Sequence, residues 1–347
     1  MEIAKDVGRR TAPATLQDVA ARAGVSIKTV SNVVNDYTHV RATTRAKVQA
    51  AIDELKYQPN MTARSLRSGR TGVISLAVPE LSLSYFAELA DGVIRAAERH
   101  GLVVLIEQTG GDRDREIELL TSTRLHLSDG LIFSPLGMDS DDAHHLDVPY
   151  PMVLLGERIF GGPVDHVTMR NVEAARAATE FLISRGRKRI AVIGAHEGEV
   201  VGSAALRLQG YREALAAAGL PFDEALIGPT GLWHRHDGLV AMKAMLDRGV
   251  EFDAVFGLND TLALGAMRVL QEARYKIPDD VFVMGFDDLD ETQYSLPALT
   301  TVDPGRAEIA EMAVKVLLDR IGARGSRSQP PLQHLTEFAI RERESTG

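Results

Sequence analysis

The 347-residue chain contains no cysteine, which rules out disulfide staples, thiolate zinc sites and cysteine nucleophiles. Aromatic residues make up only 5% of it, with a single tryptophan, Trp233. No run of about 18 uninterrupted apolar residues is present, as a membrane-spanning helix would need. The first residues, MEIAKDVGRRTAPAT, lack the apolar core of a secretory signal, so a soluble, cytoplasmic protein without a membrane partner is expected. Three catalytic signatures are also missing: G-x-x-x-x-G-K-[ST], G-x-S-x-G, and G-x-G-x-x-G after a strand. Neither an enzyme nor a cofactor is expected.

What is there is 45% apolar residues, enough for a substantial core in a small domain plus a larger one. The net charge of −9 divides unevenly: residues 1–70 carry twelve Lys and Arg against six Asp and Glu, and the remainder 27 against 42. A basic head on an acidic body suits phosphate attraction at one end and solubility at the other.

In the head, Thr15 precedes a helical pattern with Leu16, Val19, Ala20 and Ala23 on one face, and Asp18 stands where a capping box needs it. Gly24 stops that helix, and Ser26 can cap a second over 27–35 whose buried stripe is Val30, Val33 and Val34. Ile27, Lys28, Ser31 and Asn32 then face outward. A third helix, about 44–55, closes a three-helix core with Val48, Ile52 and Leu55. Two short helices joined by a four-residue, glycine-containing turn can present the second to the major groove, though such units also occur as plain packing elements. Pro59 ends the head, and 60–66 is a short helical stretch that composition alone would make a linker.

From Gly72 onward, β-branched runs alternate with amphipathic stretches: VISLAV (73–78), VVLI (103–106), LIF (131–133), MVLL (152–155), IAVI (190–193), AVF (254–256) and VFVM (281–284). This alternation predicts α/β architecture, parallel sheets covered by helices, with ligands beyond the carboxyl ends of the strands. Tyr85-Phe86 follows the first strand, either lining a pocket or packing helix on sheet. Asn259 and Asp260 follow the sixth of these runs and could equally cap the next helix. Arg207 lies near the start of a helix, Trp233 in the loop GLWHRHDG, and Asp287-Asp288 after the last run. His234 and His236 flank an arginine and His144-His145 form a second pair; with no third ligand, no metal site is expected.

The run from TLQDVAARAGVSIKTVSNVVND through YTHVRATTRAKVQAAIDELKYQPNMTARSLRSGRTGVISL resembles the head of the LacI family along its whole length, and the resemblance extends over essentially all of the chain beyond the first fourteen residues. It implies a multidomain regulator: a small all-α helix-turn-helix head and a two-lobed α/β sensor domain like the type I periplasmic binding proteins. The implied organisation is a tail at 1–14, the head at 15–60, a hinge helix and linker at 61–71, and an effector-binding and dimerisation domain at 72–347. Its first lobe would hold about 72–186 and 303–324, its second about 187–302 and 325–341.

On this resemblance Ile27, Lys28 and Asn32 stand at base-reading positions, suited to a thymine methyl, guanine O6/N7 and adenine respectively. Ser26, Thr29, Ser31, Asn35, Thr44, Arg45 and Tyr57 complete the DNA-contacting face, most of them as phosphate-positioning groups. Ala63, Arg64 and Leu66 belong to a hinge that orders on DNA, with Leu66 as the wedge in the central base step. Arg41 stands where relatives often carry a serine cap, which puts the start of the third helix in question. The effector set implied is Tyr85, Phe86, Arg207, Trp233, Asn259, Asp260 and Asp287. Arg170-Asn171 replaces the family's frequent Asp-Asn, which points toward an acidic ligand.

The implied partners are double-stranded DNA carrying a pseudo-palindromic operator, a small-molecule effector such as a sugar, and a second copy of the chain. The implied activity is transcriptional repression. Control by a protein partner in place of a metabolite is the alternative, and a sugar-binding transport protein sharing only the body fold is a further one.

Overall fold

The computed structural model describes residues 14–34, 37–57, 70–323 and 330–347. Asn35, Ala63, Arg64 and Leu66, residues 1–13 and nearly all of the expected hinge lie outside the described residues. The chain divides into two compact units, Met1–Thr71 and Gly72–Gly347.

In the first unit α1 spans Leu16–Ala23, α2 Ile27–Val34 and α3 Ala42–Leu55. The capping box forms as expected: the Thr15 N–H donates to Asp18 Oδ2 at 2.8 Å, and the Asp18 N–H donates to Thr15 Oγ1 at 3.3 Å. Gly24 ends α1 in a left-handed conformation at φ 66°, which a residue with a Cβ would adopt only at a cost. Ser26 Oγ accepts from the Thr29 N–H at 3.1 Å and so caps α2. Val19, Ala20, Val30, Val33, Val48, Ala51 and Tyr57 form the core. The third helix starts at Ala42, two residues ahead of expectation, with Arg41 at its N-cap and no side-chain hydrogen bond there. The core placement of Val48 and Ala51 sets this helix; the cap does not.

The second unit holds β1 (Val73–Val78), β2 (Val103–Gln108), β3 (Leu131–Phe133), β4 (Met152–Leu155), β5 (Asp165–Met169), β6 (Ile190–Ala195), β7 (Ile227–Pro229), β8 (Ala254–Gly257), β9 (Phe282–Phe286), β10 (Thr300–Asp303), β11 (Gln333–Thr336) and β12 (Ala339–Arg341). They make two six-stranded sheets, in the orders β11-β5-β4-β3-β1-β2 and β12-β10-β9-β8-β6-β7. All pairings are parallel except β10 with β12. The covering helices are α4 (Ser84–Glu98), α5 (Arg113–Thr121), α6 (Asn171–Ser184), α7 (Ser203–Ala217), α8 (Arg235–Asp247), α9 (Asp260–Glu272) and α10 (Arg306–Gly322). Central strands such as β1, β4 and β8 are buried on both faces, which is why they read as continuous apolar runs.

Two lobe boundaries differ from expectation. Gln333–Thr336 pairs with His166–Met169 in the first sheet, so the second lobe takes its tail only from Ala339, not from 325. Asp303 pairs with Ala339 in the second sheet and does not open the return to the first lobe. Backbone pairing between distant segments decides both, and β5 hid for a related reason. Its polar residues Asp165, His166 and Thr168 are buried, with Asp165 held by Arg320 at 2.6 and 2.7 Å, so the segment lacks an apolar run.

Helix α8 lies on α9 with backbone against backbone. A Cβ at Gly265 would collide with the Arg235 carbonyl oxygen and meet Leu239 N at 2.8 Å. Alanine gains about 1 kcal/mol of helix propensity over glycine, but forcing an atom into a packed backbone contact costs about 1–3 kcal/mol. Gly265→Ala is therefore expected to destabilise the body, lowering the midpoint of chemical denaturation; an unchanged or raised midpoint would mean the helices part freely.

Candidate functional site

The head turns one face of α2 outward. Ile27 is 44% exposed and Lys28 is exposed, while Ser31 and Asn32 are half-buried. The Ser26 and Thr29 hydroxyls lie 2.9 Å apart and serve the cap of α2. Arg45 donates to the Tyr37 carbonyl at 2.8 Å, tying the loop before α3 to that helix, and Thr44 beside it is half-buried. Tyr57 departs from the expected surface role: it is 8% exposed and packs in the head core, the best use of a large ring in a core this small.

In the body, the loops after the strands of both sheets converge on a cavity of about 140 Å³ between the lobes. Arg207 is its central cation, 2% exposed on α7. Its Nε donates to Asn171 Oδ1 at 2.7 Å, Nη1 to the Leu258 carbonyl, and Nη2 to Met169 Sδ at 3.3 Å. Asp287 Oδ1 lies 3.6 Å from Nη2, and the guanidinium carbon sits 3.6 Å from the centre of the Phe286 ring. Partners from both lobes thus hold the charge in one orientation while some of its N–H groups stay unspent.

Asp287 lines the cavity in a positive-φ conformation (119°), a backbone strain of the kind that persists where the surroundings over-determine a residue. Burial pushes its carboxyl up to about 7, against the pull of Arg207 and Arg306. Trp233 also lines the cavity, with Nε1 donating to the Gly194 carbonyl at 2.9 Å and its ring 5.3 Å from the Arg207 guanidinium. Tyr85 and Phe86 line it as an edge-to-face pair, centroids 5.3 Å apart.

Two expected contacts resolve differently. Asn259 lines the cavity, but it is also the N-cap of α9: Oδ1 accepts from the Leu262 N–H at 2.8 Å and Nδ2 donates to the Trp233 carbonyl at 3.1 Å. Asp260 is fully buried and absent from the cavity wall. Its carboxyl is spent on the Thr301 hydroxyl at 2.5 Å and the Leu289 N–H at 2.9 Å, so it buttresses the loop that carries Asp287. Burial first, and then the charge of Asp287, push it up to about 8.

Residues 15–60 match the model of the bacterial regulatory proteins of the lacI family, and residues 71–337 match that of the periplasmic binding proteins and sugar-binding domain of the same family. The chain belongs to the LacI family. It is similar to the transcriptional regulator CelR of Thermobifida fusca, 35% identical over 97% of this chain and 99% of that one. A solved CelR–cellobiose complex superposes with a TM-score of 0.69 at 32% identity, covering 96% of this chain and 99% of that one. A LacI-family regulator from Sanguibacter keddieii is 53% identical over 80% of this chain and 99% of that one, with a TM-score of 0.74. The lac repressor dimer bound to operator and an anti-inducer gives 0.80 at 27% identity, over 96% and 99%.

This LacI-family cleft also holds residues that the sequence did not single out. Glu157 is buried and accepts from Thr168 Oγ1 at 3.1 Å and, across the cleft, from Ser203 Oγ at 2.6 Å. Arg158 reaches the Val201 carbonyl at 2.8 Å and Glu199 at 3.4 Å, and Glu199 in turn takes His196 Nδ1 at 2.7 Å. Burial pushes the Glu199 carboxyl up, but the hydrogen bonds and charges of His196, the Ala205 N–H and Arg158 outweigh it and bring it below its ordinary value. The strand-end rule that led to Asp287 would have found these positions too, since each follows β4 or β6.

The lining therefore carries the carboxylates Glu80, Glu157, Glu199 and Asp287 against the guanidinium groups of Arg158 and Arg207. An acidic ligand, anticipated from Arg170, does not fit this balance. Arg170 is not in the wall and pairs with Glu337 at 3.2 Å. His234 pairs with Glu80 at 2.9 Å, and the His144 and His145 rings lie tilted against each other with centres 4.0 Å apart. Among the described residues no group of three or more His, Asp or Glu could hold a metal ion, and no helix is long and apolar enough to cross a membrane.

Because the folded protein raises Asp260 from an ordinary carboxyl value to about 8, the native state binds its proton more tightly than the unfolded chain. The stability this gives is complete below about pH 4 and is lost as pH rises through about 8. Asp260→Asn, whose Nδ2 can donate to Thr301 Oγ1, escapes that loss. Its thermal midpoint relative to wild type is expected to rise between pH 5 and pH 8.5, and a constant difference across that range would refute a protonated Asp260.

Proposed function

We propose that this chain is a transcriptional repressor that binds a pseudo-palindromic operator as a homodimer, and that a small neutral polyhydroxyl ligand, a sugar, sets operator affinity from the cleft between the lobes. The observation that carries the ligand half is the buried pair Arg207–Asp287 opening beside the Trp233 indole onto the cavity between the lobes. Fixed donors and acceptors of both signs suit hydroxyl groups, and an indole suits the C–H face of a sugar ring. A concave cleft lined by buried polar and aromatic side chains favours a small molecule over a protein partner as effector. CelR, a relative across the full length, is solved with cellobiose.

The DNA half rests on α2, whose outward Ile27 and Lys28 differ from a packing surface in being exposed on a basic unit. Lys28 reads guanine, Asn32 adenine or a phosphate, and Ile27 a thymine methyl. Ser26, Thr29, Ser31, Asn35, Thr44 and Arg45 position the head on phosphates. Leu66, with Ala63 and Arg64, forms the hinge wedge in the minor groove. The head at 15–60, the hinge at 61–71 and the body from 72 onward are the functional divisions. No turnover of the ligand is part of the mechanism.

A second copy would cover apolar surface that the described residues leave open. On the edge strand β2, Val103 is 57% exposed and Leu105 and Ile106 are exposed beside it, and Leu296 in the other lobe is 84% exposed. An uncovered apolar sheet edge is a liability in a monomer. Two-fold assembly would place two heads at the half-sites of a palindrome.

Selection from random DNA with the full-length protein is expected to enrich a pseudo-palindrome, bound more weakly as salt rises, and addition of one sugar from a screen should change that binding. Failure to enrich any palindrome would sink the reading. Lys28→Ala should cost about 1–3 kcal/mol and relax preference at one base pair of each half-site. Leu296→Asp should shift the protein toward monomer in sedimentation equilibrium and weaken operator binding with it; a dimer of undiminished strength would remove Leu296 from the interface.

A further inference from the structure

Beside the inner cavity lies a second, more open pocket of about 510 Å³ lined by His196, Glu197, Pro229, Thr230 and Gly231. His196 and Gly231 line both spaces, so the two adjoin. The inner cavity, about 140 Å³, is close to the roughly 150 Å³ void known to accept one benzene ring. It therefore suits a single six-membered ring, and anything longer must continue outward.

The outer pocket carries two buried polar atoms without a hydrogen-bond partner, His196 Nε2 and Thr230 Oγ1. Such atoms are uncommon in folded proteins, because each gives up its water without replacing it. Glu199 holds His196 through Nδ1 at 2.7 Å, which fixes the ring and leaves Nε2 as its one uncommitted polar atom. The Thr230 hydroxyl can donate or accept. Its backbone N–H donates to the Ala195 carbonyl at 3.0 Å, which fixes the loops after β6 and β7 against each other. Glu197 adds an exposed acceptor, and no Lys or Arg lines the pocket. This polar set has the chemistry to suit neutral hydroxyl groups. The His196 ring also leans on Trp233, centroids 5.6 Å apart, so one aromatic wall runs from the inner space to the outer.

We infer that the ligand of the cleft is an oligosaccharide of at least two rings, with one ring in the cavity beside Arg207 and Asp287 and the next in the pocket of His196, Thr230 and Gly231. The inference rests on the sugar-sensor reading above and sharpens its ligand from sugars in general to linked ones.

Titration calorimetry on the full-length protein tests it with glucose, galactose, ribose and xylose set against cellobiose, maltose, lactose and xylobiose. One or more disaccharides should bind at least about tenfold more tightly than any of the monosaccharides, the effect of one or two additional good hydrogen bonds. Thr230→Val, which removes the hydroxyl and keeps the shape, should narrow that advantage several-fold. A monosaccharide that binds as tightly as every disaccharide overturns this inference and leaves the sugar-sensor reading standing. Binding of none of the eight overturns both. A disaccharide advantage that Thr230→Val leaves intact removes the outer pocket from the site.

Discussion

A guanidinium buried where two sheets meet is the constraint on which the body of this protein depends. A charge taken out of water costs several kcal/mol unless it is paired and hydrogen-bonded. Arg207 finds its partners in opposite lobes: Asn171 and Met169 at the end of β5, and the Leu258 carbonyl and Asp287 beyond β8 and β9. The ring of Phe286 covers one face of it. The loops that supply these partners are the walls of the cleft, so satisfying the charge and shaping the binding space are one event. Asp287 keeps its strained backbone because Arg306 grips its carbonyl oxygen at 2.5 Å and Asp260 anchors the adjoining Leu289.

Further contacts cross the cleft around this centre. Glu157 meets Ser203, Arg158 meets Val201 and Glu199, Glu80 meets His234, and Arg306 joins Glu88 to the loop of Asp287 and Asp288. Exposed pairs such as Glu80–His234 hold little free energy. The buried ones count for more, because separating them strands a desolvated carboxylate or hydroxyl. A rotation of one lobe against the other would have to break this set together, and contacts that break together favour discrete arrangements over a continuum. A ligand that touches both walls can act on that choice only through a difference in affinity between the arrangements.

Much of this architecture was legible in the chain. Thr15, Asp18 and Gly24 bound the first head helix through local hydrogen bonds and a left-handed φ, which depend on immediate neighbours alone. The apolar runs of β1, β3, β4, β6 and β8 announced themselves because strands buried on both faces are almost wholly apolar. Strand β5 did not, since its buried polar residues are satisfied by a helix far along the chain, and β11 was assigned to the wrong lobe for want of that partner. In the site, Arg207, Trp233 and Asp287 line the cavity, Asn259 does so while serving as a cap, and Asp260 turns away into a fully buried network.

The sequence by itself determined the local features of this protein: helix caps and stops, the periodicities that separate a helical head from an α/β body, the concentration of positive charge at one end, and the motif that places the chain in its family. Only the tertiary structure decided which strand joins which sheet, which acid of a neighbouring pair faces the cleft, that Tyr57 belongs to a core, and that Glu157, His196 and Glu199 belong to the site. The difference is physical. Caps, turns and amphipathic stripes are fixed by residues within a turn or two, whereas the state of a buried charge such as Arg207 depends on Asn171, Leu258 and Asp287, dozens of residues away, which only the folded chain brings to within 3.6 Å of it.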